Sequence, residues 1–311
     1  MLHPHVRGLL DLIEQRGIPP IHALSPEDAR ALYRDRRHIT QPAPPEVAEV
    51  QELEASGPHG PIPLRLYRPL GVTPGAVLPV LVYFHGGGFV IGDLETHDTL
   101  CRELANGAGC AVVAVDYRLA PEHRFPCAVD DSLAATYWVA RNAASLRIDA
   151  QRLAVGGDSA GANLAAVVSI LARDAGDLPI AFQLLIYPCT DARCVAPSHT
   201  TNGQGYLLTN DTIDYFLGHC FAAADGKLAI TASPLLHPDL SNLPPALVLT
   251  AGFDPLRDEG LHYAQRLTQS GNRATQVCFE RQIHGFIVMG KVIDEANAAV
   301  ALCASELARN L

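Results

Sequence analysis

The stretch Gly157-Asp158-Ser159-Ala160-Gly161 decides the fold, because a serine with glycine at both second-neighbour positions fits a sharp turn between a strand and a helix. The flanking residues agree: 152–156 is a short apolar segment typical of a strand, and 163–171 is rich in alanine and leucine, which predicts a helix. Ser159 is therefore a candidate nucleophile. Because the five-residue pattern also arises by chance, this hypothesis depends on partners elsewhere in the chain.

Around this turn, apolar strands and helices alternate along the chain. Strands are predicted at 47–53, 63–67, 79–84, 111–115, 153–155, 182–187, 246–250 and 276–279, with a hairpin turn at 57–60. Helices are predicted at 95–106, 128–143, 160–173, 258–269 and 292–307. This alternation predicts an α/β fold with a mostly parallel eight-stranded sheet and helices on both faces.

Two regions lie outside this alternation. Within residues 1–45, short helices are predicted at 9–15 and 25–33, and they form either a packing arm or part of a lid. Between 187 and 247 one helix is predicted at 209–221. Because a structureless loop of that length is uncommon, we expect a helical insertion that packs with the N-terminal helices as a cap.

The composition argues against several classes of partner. The 311-residue chain has a formal charge of −10 and no cluster of Lys or Arg, which disfavours nucleic acid and anionic membranes and favours a neutral or modestly polar small molecule. No apolar stretch reaches the roughly 18 residues of a membrane span, and no secretory signal is visible. The eight cysteines include no C-x-x-C pair, so we expect mostly buried free thiols in a cytoplasmic protein.

A serine nucleophile needs a histidine base, a carboxylate that orients the histidine, and donors for the oxyanion. In open parallel sheets such groups gather at the carboxyl ends of strands. His284 follows the last predicted strand, and Asp254 follows the strand at 246–250. Asp258 is a rival carboxylate, although its position also suits a charge at a helix N-terminus. Strand-end position and the order Ser, Asp, His favour Asp254.

A glycine-rich stretch supplies candidate donors. His85-Gly86-Gly87-Gly88-Phe89 directly follows a predicted strand, and its amides, with that of Ala160, would stabilise a tetrahedral intermediate. The alternatives are a flexible loop and a phosphate cradle, but no lysine closes it as in a P-loop. A Walker-like pattern from Gly285 to Lys291 fails, because Val292 stands where Ser or Thr would bind magnesium.

The motifs occur in the order His-Gly-Gly-Gly-Phe (85–89), Gly-Asp-Ser-Ala-Gly (157–161), Asp-Pro-Leu (254–256) and His-Gly-Phe (284–286). Together they resemble the hormone-sensitive-lipase-like branch of the α/β-hydrolases, which includes bacterial carboxylesterases. The segment 116–126 is also similar, and the likeness covers nearly the whole chain after about residue 45.

The resemblance implies roles for individual residues. Ser159 is the nucleophile, His284 the base and Asp254 the acid. The oxyanion amides are those of Gly87, Gly88 and Ala160. The substrate pocket is placed at Phe89, Leu207 and Phe286. His85 stiffens the glycine loop, and Ala162 stands where many relatives carry a third glycine, which tightens the pocket floor.

The resemblance also implies an architecture and a substrate class. Residues 1–45 and an insertion at about 190–225 form a cap, and 46–311 is the catalytic domain. Substrates are esters of short to medium acyl chains, no metal or cofactor takes part, and a homodimer forms through an edge strand. A ligand-binding protein on this scaffold is a second interpretation, which retention of all three triad residues disfavours. Amide hydrolysis and acyl transfer stay open, because the same groups serve any acyl carbonyl.

Overall fold

The chain begins with two α-helices and two strands, and from residue 78 onward each strand is followed by one or more helices. The computed structural model describes the backbone of residues 1–311 and the side chains of 1–223 and 226–311. The strands are β1 (Glu49–Gly57), β2 (Gly60–Arg68), β3 (Leu78–Phe84), β4 (Ala111–Val115), β5 (Ile148–Asp158), β6 (Phe182–Ile186), β7 (Ala246–Phe253) and β8 (Ala274–Ile283). The α-helices are α1 (Pro4–Gln15), α2 (Pro26–Thr40), α3 (Leu94–Ala108), α4 (Cys127–Arg141), α5 (Ala143–Leu146), α6 (Ala160–Ala175), α7 (Pro197–Thr201), α8 (Asn210–Cys220), α9 (Arg257–Gln269) and α10 (Asp294–Asn310).

All eight strands join one sheet in the order β1-β2-β4-β3-β5-β6-β7-β8. β2 is antiparallel to both of its neighbours, and every other pair of adjacent strands is parallel. The predicted hairpin turn joins β1 to β2. The prediction of a mostly parallel eight-stranded sheet is confirmed.

The chain leaves the neighbouring strands β3 and β5 in opposite directions along the sheet. From β3 the chain crosses to β4 on one side, and from β5 it crosses to β6 on the other. β3 and β5 are neighbours, and Phe84 at the end of β3 pairs with Gly157 near the end of β5. Divergence of this kind opens a crevice at the carboxyl ends of the strands. The glycine-rich loop after β3 and the serine turn after β5 therefore lie side by side at this crevice.

Helices cover both faces of the sheet. Val82 and Phe84 of β3 lie in one buried apolar cluster with residues of α4, α6 and α9. Leu81 and Tyr83 lie in a second cluster with residues of α3 and α10. Because successive side chains of a strand point to opposite faces, the two clusters are on opposite sides of the sheet. The predicted three-layer arrangement is confirmed.

A third apolar cluster joins the N-terminal region to the insertion. It contains Ala29 of α2, Ile213 of α8 and Ile91 of the loop after β3. α1 differs, because its Val6 and Leu9 belong to the cluster of α3 and α10. α2 therefore packs with the insertion, whereas α1 packs against the body of the sheet.

All eight cysteines are unpaired, and four of them are buried while the other four are partly exposed. Across the part of the chain that the structure describes, no helix combines the length and the apolar character needed to cross a bilayer.

Candidate active site

Ser159 lies in a strained turn between β5 and α6. Its backbone has φ of 55° and ψ of −118°, a conformation that residues with side chains rarely adopt. A Cβ atom on Gly157 or Gly161 would collide with the carbonyl oxygen of Phe84. Both glycines are therefore required by the close packing of this turn on the end of β3, and the turn places the serine at the crevice.

Ser159, His284 and Asp254 form a continuous hydrogen-bonded chain. The Nε2 atom of His284 lies 2.8 Å from Ser159 Oγ, and its Nδ1 atom lies 2.7 Å from Asp254 Oδ2. Asp254 directly follows β7 and is fully buried, and His284 directly follows β8. With the Nδ1 proton donated to the carboxylate, Nε2 can accept the serine proton.

The insertion holds the loop that carries Asp254. The Oδ1 atom of Asp254 accepts a hydrogen bond of 2.8 Å from the Leu256 amide. Asn202, which follows α7, donates from Nδ2 to the carbonyl oxygens of Gly252 at 3.2 Å and Asp254 at 3.1 Å. This brace was not foreseen from the sequence, because no motif marks Asn202.

The rival carboxylate Asp258 has other partners. Its Oδ1 atom accepts a hydrogen bond of 2.7 Å from Arg257 Nε, and its amide donates to Ser198 Oγ at 3.1 Å. No hydrogen bond or ion pair joins Asp258 to His284 within the described residues. The geometry thus favours Asp254 as the partner of His284.

The loop after β3 places free amide groups beside the serine. Gly87 and Gly88 have φ of 127° and 60°. A Cβ on Gly87 would collide with the carbonyl oxygen of Ile91, and one on Gly88 with an aromatic ring of α8. The amides of Gly87, Gly88 and Ala160, here called the oxyanion site, donate to no other atom of the described residues, and all three residues line the cavity that Ser159 lines. Such donors can stabilise negative charge on a substrate oxygen.

Asp158 ties the serine turn to the loop after β3. Its buried Oδ1 atom accepts hydrogen bonds from the Tyr83 hydroxyl at 2.8 Å and the Gly86 amide at 2.9 Å. The Nε2 atom of His97 lies 3.1 Å from the same oxygen. Burial by itself would raise the pKa of Asp158, but the imidazole and these donors outweigh it, so the pKa lies below its ordinary value. Asp158 is therefore a charged anchor that holds the two loops together.

His85 begins the glycine-rich loop and packs firmly within the protein. Its ring stacks on Tyr117 with centroids 4.3 Å apart, and the Tyr117 hydroxyl donates to the His85 carbonyl oxygen at 2.6 Å. Burial, reinforced by the adjacent His97, lowers the pKa of His85 to about 4. This packing is what a stiffening role requires.

The low pKa of His85 should make the protein less stable in mild acid. A histidine in the unfolded chain titrates near pH 6.5, whereas His85 stays neutral in the folded state down to about pH 4. Between these pH values only the unfolded state binds the proton. The contribution of neutral His85 to the free energy of unfolding is therefore complete above pH 6.5 and falls as the pH approaches 4. The total loss is about 3 kcal/mol, since one pKa unit corresponds to about 1.4 kcal/mol.

Urea unfolding of wild type and His85→Gln between pH 7 and pH 4.5 checks this expectation. The free energy of unfolding of the wild type should fall more steeply than that of His85→Gln, which lacks the titrating ring. Because other groups titrate equally in both proteins, the difference between the two curves isolates His85. Parallel curves would show that His85 has no depressed pKa.

A cavity of about 120 Å³ opens above Ser159. The oxyanion site forms part of its floor, and side chains of α2, α8 and the loop before α8 form its roof. Phe89 and Leu207 line it. Phe286 does not, because it is fully buried among apolar side chains and packs against Tyr187 with ring centroids 6.1 Å apart. The chain turns inward directly after His284, so the expectation for Phe286 was wrong.

Three groups of metal-ligand type lie together outside this cavity. The ligand atoms of His3, His5 and Asp294 all lie within 4.8 Å of one another. However, Nδ1 of His3 accepts a hydrogen bond from the His5 amide at 3.2 Å, which places the proton of the neutral ring on Nε2. Metal binding through Nε2 would move this proton to Nδ1 and break the hydrogen bond from His5, so this cluster is better described as a polar contact between α1 and α10.

Comparisons with known proteins agree with this geometry. Residues 81–288 match the model of a family described as having the alpha/beta hydrolase fold. An ethyl acetate hydrolase of Pseudomonas putida is 38% identical over an alignment of 316 positions, gaps included, which covers 100% of this chain and 99% of that protein. Carboxylesterase NlhH of Mycobacterium tuberculosis is 45% identical over 254 residues, or 80% of this chain and 79% of that protein.

Solved structures give the same result. An ester hydrolase from the metagenome of Lake Arreo, solved with a derivative of bipyridine phosphonate, superposes with a TM-score of 0.96 at 44% identity over 99% of both chains. A hyperthermophilic esterase of Pyrobaculum calidifontis has a TM-score of 0.93 at 40% identity, covering 99% of this chain and 98% of that chain. The chain therefore belongs to the hormone-sensitive-lipase-like carboxylesterases of the α/β-hydrolase fold.

Proposed function

We propose that the protein hydrolyses carboxylic esters of short to medium acyl chain through an acyl-enzyme on Ser159. The observation that carries the proposal is the hydrogen-bonded chain from Ser159 through His284 to Asp254, beside the unpaired amides of the oxyanion site. The names of the relatives, which include esterases and carboxylesterases, support the same chemistry.

The first half of the reaction forms the acyl-enzyme. Ser159 Oγ attacks the carbonyl carbon of the ester while His284 Nε2 takes the hydroxyl proton. The oxyanion site stabilises the negative charge that develops on the carbonyl oxygen. Asp254 accepts the Nδ1 hydrogen bond and stabilises the imidazolium. When the C–O bond of the ester breaks, the imidazolium gives its proton to the leaving alcohol.

The second half releases the acid. A water molecule takes the place of the alcohol, gives a proton to His284 Nε2 and attacks the acyl carbon. The intermediate collapses with Ser159 as the leaving group, which takes its proton back from the imidazolium. Every proton thus moves between Ser159, His284, the alcohol and water, and the cycle ends with the starting enzyme.

Comparison of wild type with Ser159→Ala on p-nitrophenyl butyrate tests this proposal. The wild type should release p-nitrophenol continuously, and the variant should release it only at a small residual rate. Equal rates in the two proteins would overturn the proposal, and tight binding of an ester that is never hydrolysed would favour the ligand-binding interpretation.

We propose further that residues 1–45 and 190–225 form a cap over a catalytic domain at 46–311. The apolar cluster shared by α2 and α8, and the contribution of both helices to the cavity roof, support this division. α1, which packs on the sheet side, would anchor the cap to the catalytic domain.

A second, smaller cavity lies beside the main one and would influence the length of the substrate acyl chain that the enzyme accepts. Phe89, Cys189 and Leu217 line both this cavity and the main one, so these side chains separate the two spaces. The remaining walls are largely apolar and include Phe125 and Phe221. The second cavity can therefore receive additional methylene groups once the separating side chains are trimmed.

Leu217→Ala should shift the chain-length preference of the enzyme upward. The ratio of kcat/KM for p-nitrophenyl octanoate to that for p-nitrophenyl butyrate should rise by at least about tenfold, because even one additional methylene bound in an apolar pocket contributes about 1–3 kcal/mol. Leu133→Ala, a substitution of the same type outside both cavities, controls for loss of stability. An unchanged ratio in Leu217→Ala would contradict the proposed role of the second cavity.

Two further proposals concern the protein as a whole. A homodimer through an edge strand is supported by β1 and β8, each of which pairs with a strand on one side only. A cytoplasmic location is supported by the eight unpaired cysteines, since disulfides are rare in reducing compartments.

A further inference from the structure

One charged side chain stands out in the cavity roof. Arg36 of α2 lines the cavity together with Ser159 and His284, and it is the one Arg or Lys among the described residues that do so. The neighbouring roof positions are mostly apolar, including Ile213 and Leu217. A guanidinium beside a largely apolar substrate space requires an explanation, because an uncompensated charge next to apolar surface is unfavourable.

The other arginines of α2 have carboxylate partners, whereas Arg36 has none within the described residues. Arg30 pairs with Glu122, Arg34 with Asp93 and Arg37 with Glu95. The guanidinium carbon of Arg36 lies instead 4.2 Å from the centre of the Tyr33 ring. Within the described residues, no N–H group of the Arg36 guanidinium makes a hydrogen bond, so these groups remain able to donate. Arg36 is thus held beside an aromatic ring, and its N–H groups can still bind an anion.

The surrounding charges permit an anion at this position. Tyr33 remains a neutral phenol at physiological pH, because burial raises its pKa to about 12. Asp158 also lines the cavity, but Tyr83, the Gly86 amide and His97 all lie against its carboxylate. The net charge of −10 repels anions at long range, but salt screens that field beyond about 8 Å, whereas a direct guanidinium–carboxylate contact is screened much less.

We propose that Arg36 binds a carboxylate of the substrate, so that the preferred substrates are esters that carry a free carboxylate away from the scissile bond. This inference rests on the proposed ester hydrolysis and names its substrate class. The scissile carbonyl lies at Ser159 on the cavity floor, and the carboxylate lies at Arg36 in the roof. A planar guanidinium can bind both carboxylate oxygens, which gives orientation as well as affinity.

Matched pairs of esters that differ only in charge test the proposal on either side of the scissile bond. The first pair is 4-(butyryloxy)benzoate and 4-(butyryloxy)benzamide, with the charge on the alcohol. The second pair is mono-p-nitrophenyl adipate and p-nitrophenyl hexanoate, with the charge on the acyl chain. The measured quantity is the ratio of kcat/KM for the anionic ester to that for the neutral ester, in wild type, Arg36→Gln, Arg36→Lys and Arg34→Gln.

In at least one pair, Arg36→Gln should lower this ratio by about tenfold or more, mainly through KM, because it removes the charge-assisted hydrogen bonds to the substrate carboxylate. Arg36→Lys should recover part of the ratio. Arg34→Gln removes the same charge from the same helix outside the cavity and should leave the ratio within about twofold.

An unchanged ratio in Arg36→Gln for both pairs, or an equal loss for anionic and neutral esters, would overturn the proposal and assign Arg36 a structural role. Failure of the proposed function gives a different result, because the wild type would then hydrolyse neither member of either pair.

Discussion

Replacement of Ser159 by alanine is expected to lower kcat for p-nitrophenyl butyrate by at least about 10⁴-fold, because Ser159 is the nucleophile that hydrogen-bonds to the His284 base. The hydroxyl is the attacking atom, and His284 Nε2 lies 2.8 Å from it as the proton acceptor. The oxyanion site remains intact in the variant, so a small residual rate above that of water is expected. Alanine also fits the space, since it removes only the oxygen atom.

The size of this effect is interpretable only beside suitable controls. Ser145→Ala removes an exposed hydroxyl of α5 that donates to the carbonyl oxygen of Asn142, and it should retain wild-type activity. His284→Ala should be about as inactive as Ser159→Ala, and the double variant no slower than either, because the two residues act as one unit. If Ser159→Ala kept a tenth of the activity, the nucleophile would lie elsewhere.

The site residues that directly follow a strand could be predicted from the sequence. The turn around Ser159 requires glycine on both sides because the Phe84 carbonyl oxygen occupies the space, and this requirement is visible as a motif. Asp254 and His284 could be located because each directly follows an apolar strand segment, and parallel strands bring their carboxyl ends to one edge. Local pattern and sheet topology together were therefore sufficient to predict these positions.

Contacts between distant elements could not be predicted. The anchor at Asp158 joins β5 to Tyr83 of β3 and His97 of α3, and nothing in the sequence near these residues indicates that they meet. Arg36 and Asn202 belong to regions whose packing depends on the tertiary fold, and no motif marks either residue. Phe286 was misplaced for the same reason, since adjacency to His284 in sequence did not determine the side of the chain on which its ring packs.

The ends of strands were also predicted less accurately than their buried centres. β8 was predicted at 276–279 but extends over Ala274–Ile283, because Glu280 and Arg281 interrupt the apolar pattern on an edge strand that is partly exposed. β5 was predicted at 153–155 but spans Ile148–Asp158, with exposed polar residues in its first half. Apolar runs identify the buried part of a strand, and backbone pairing then extends the strand beyond it.

Asp254→Asn and Asp258→Asn should have very different effects. In Asp254→Asn the Oδ1 acceptor for the Leu256 amide can be kept, whereas an amide group replaces the oxygen that accepts from His284 Nδ1. His284 must then accept at Nδ1 and carry its proton on Nε2, so it can no longer take the serine proton. We expect kcat to fall by about 10⁴-fold, the effect of such a tautomer change in a triad.

Asp258→Asn should leave kcat/KM within about threefold of wild type, because its carboxylate pairs with Arg257 on a partly exposed helix end and such pairs contribute about 1 kcal/mol or less. Steady-state rates of both variants on p-nitrophenyl butyrate, with circular dichroism to confirm folding, make the comparison. The reverse result, an inactive Asp258→Asn beside an active Asp254→Asn, would mean that His284 changes partner during the reaction. Full activity in both would show that histidine orientation depends on packing, chiefly against Tyr187, whose ring centroid lies 4.6 Å from that of His284.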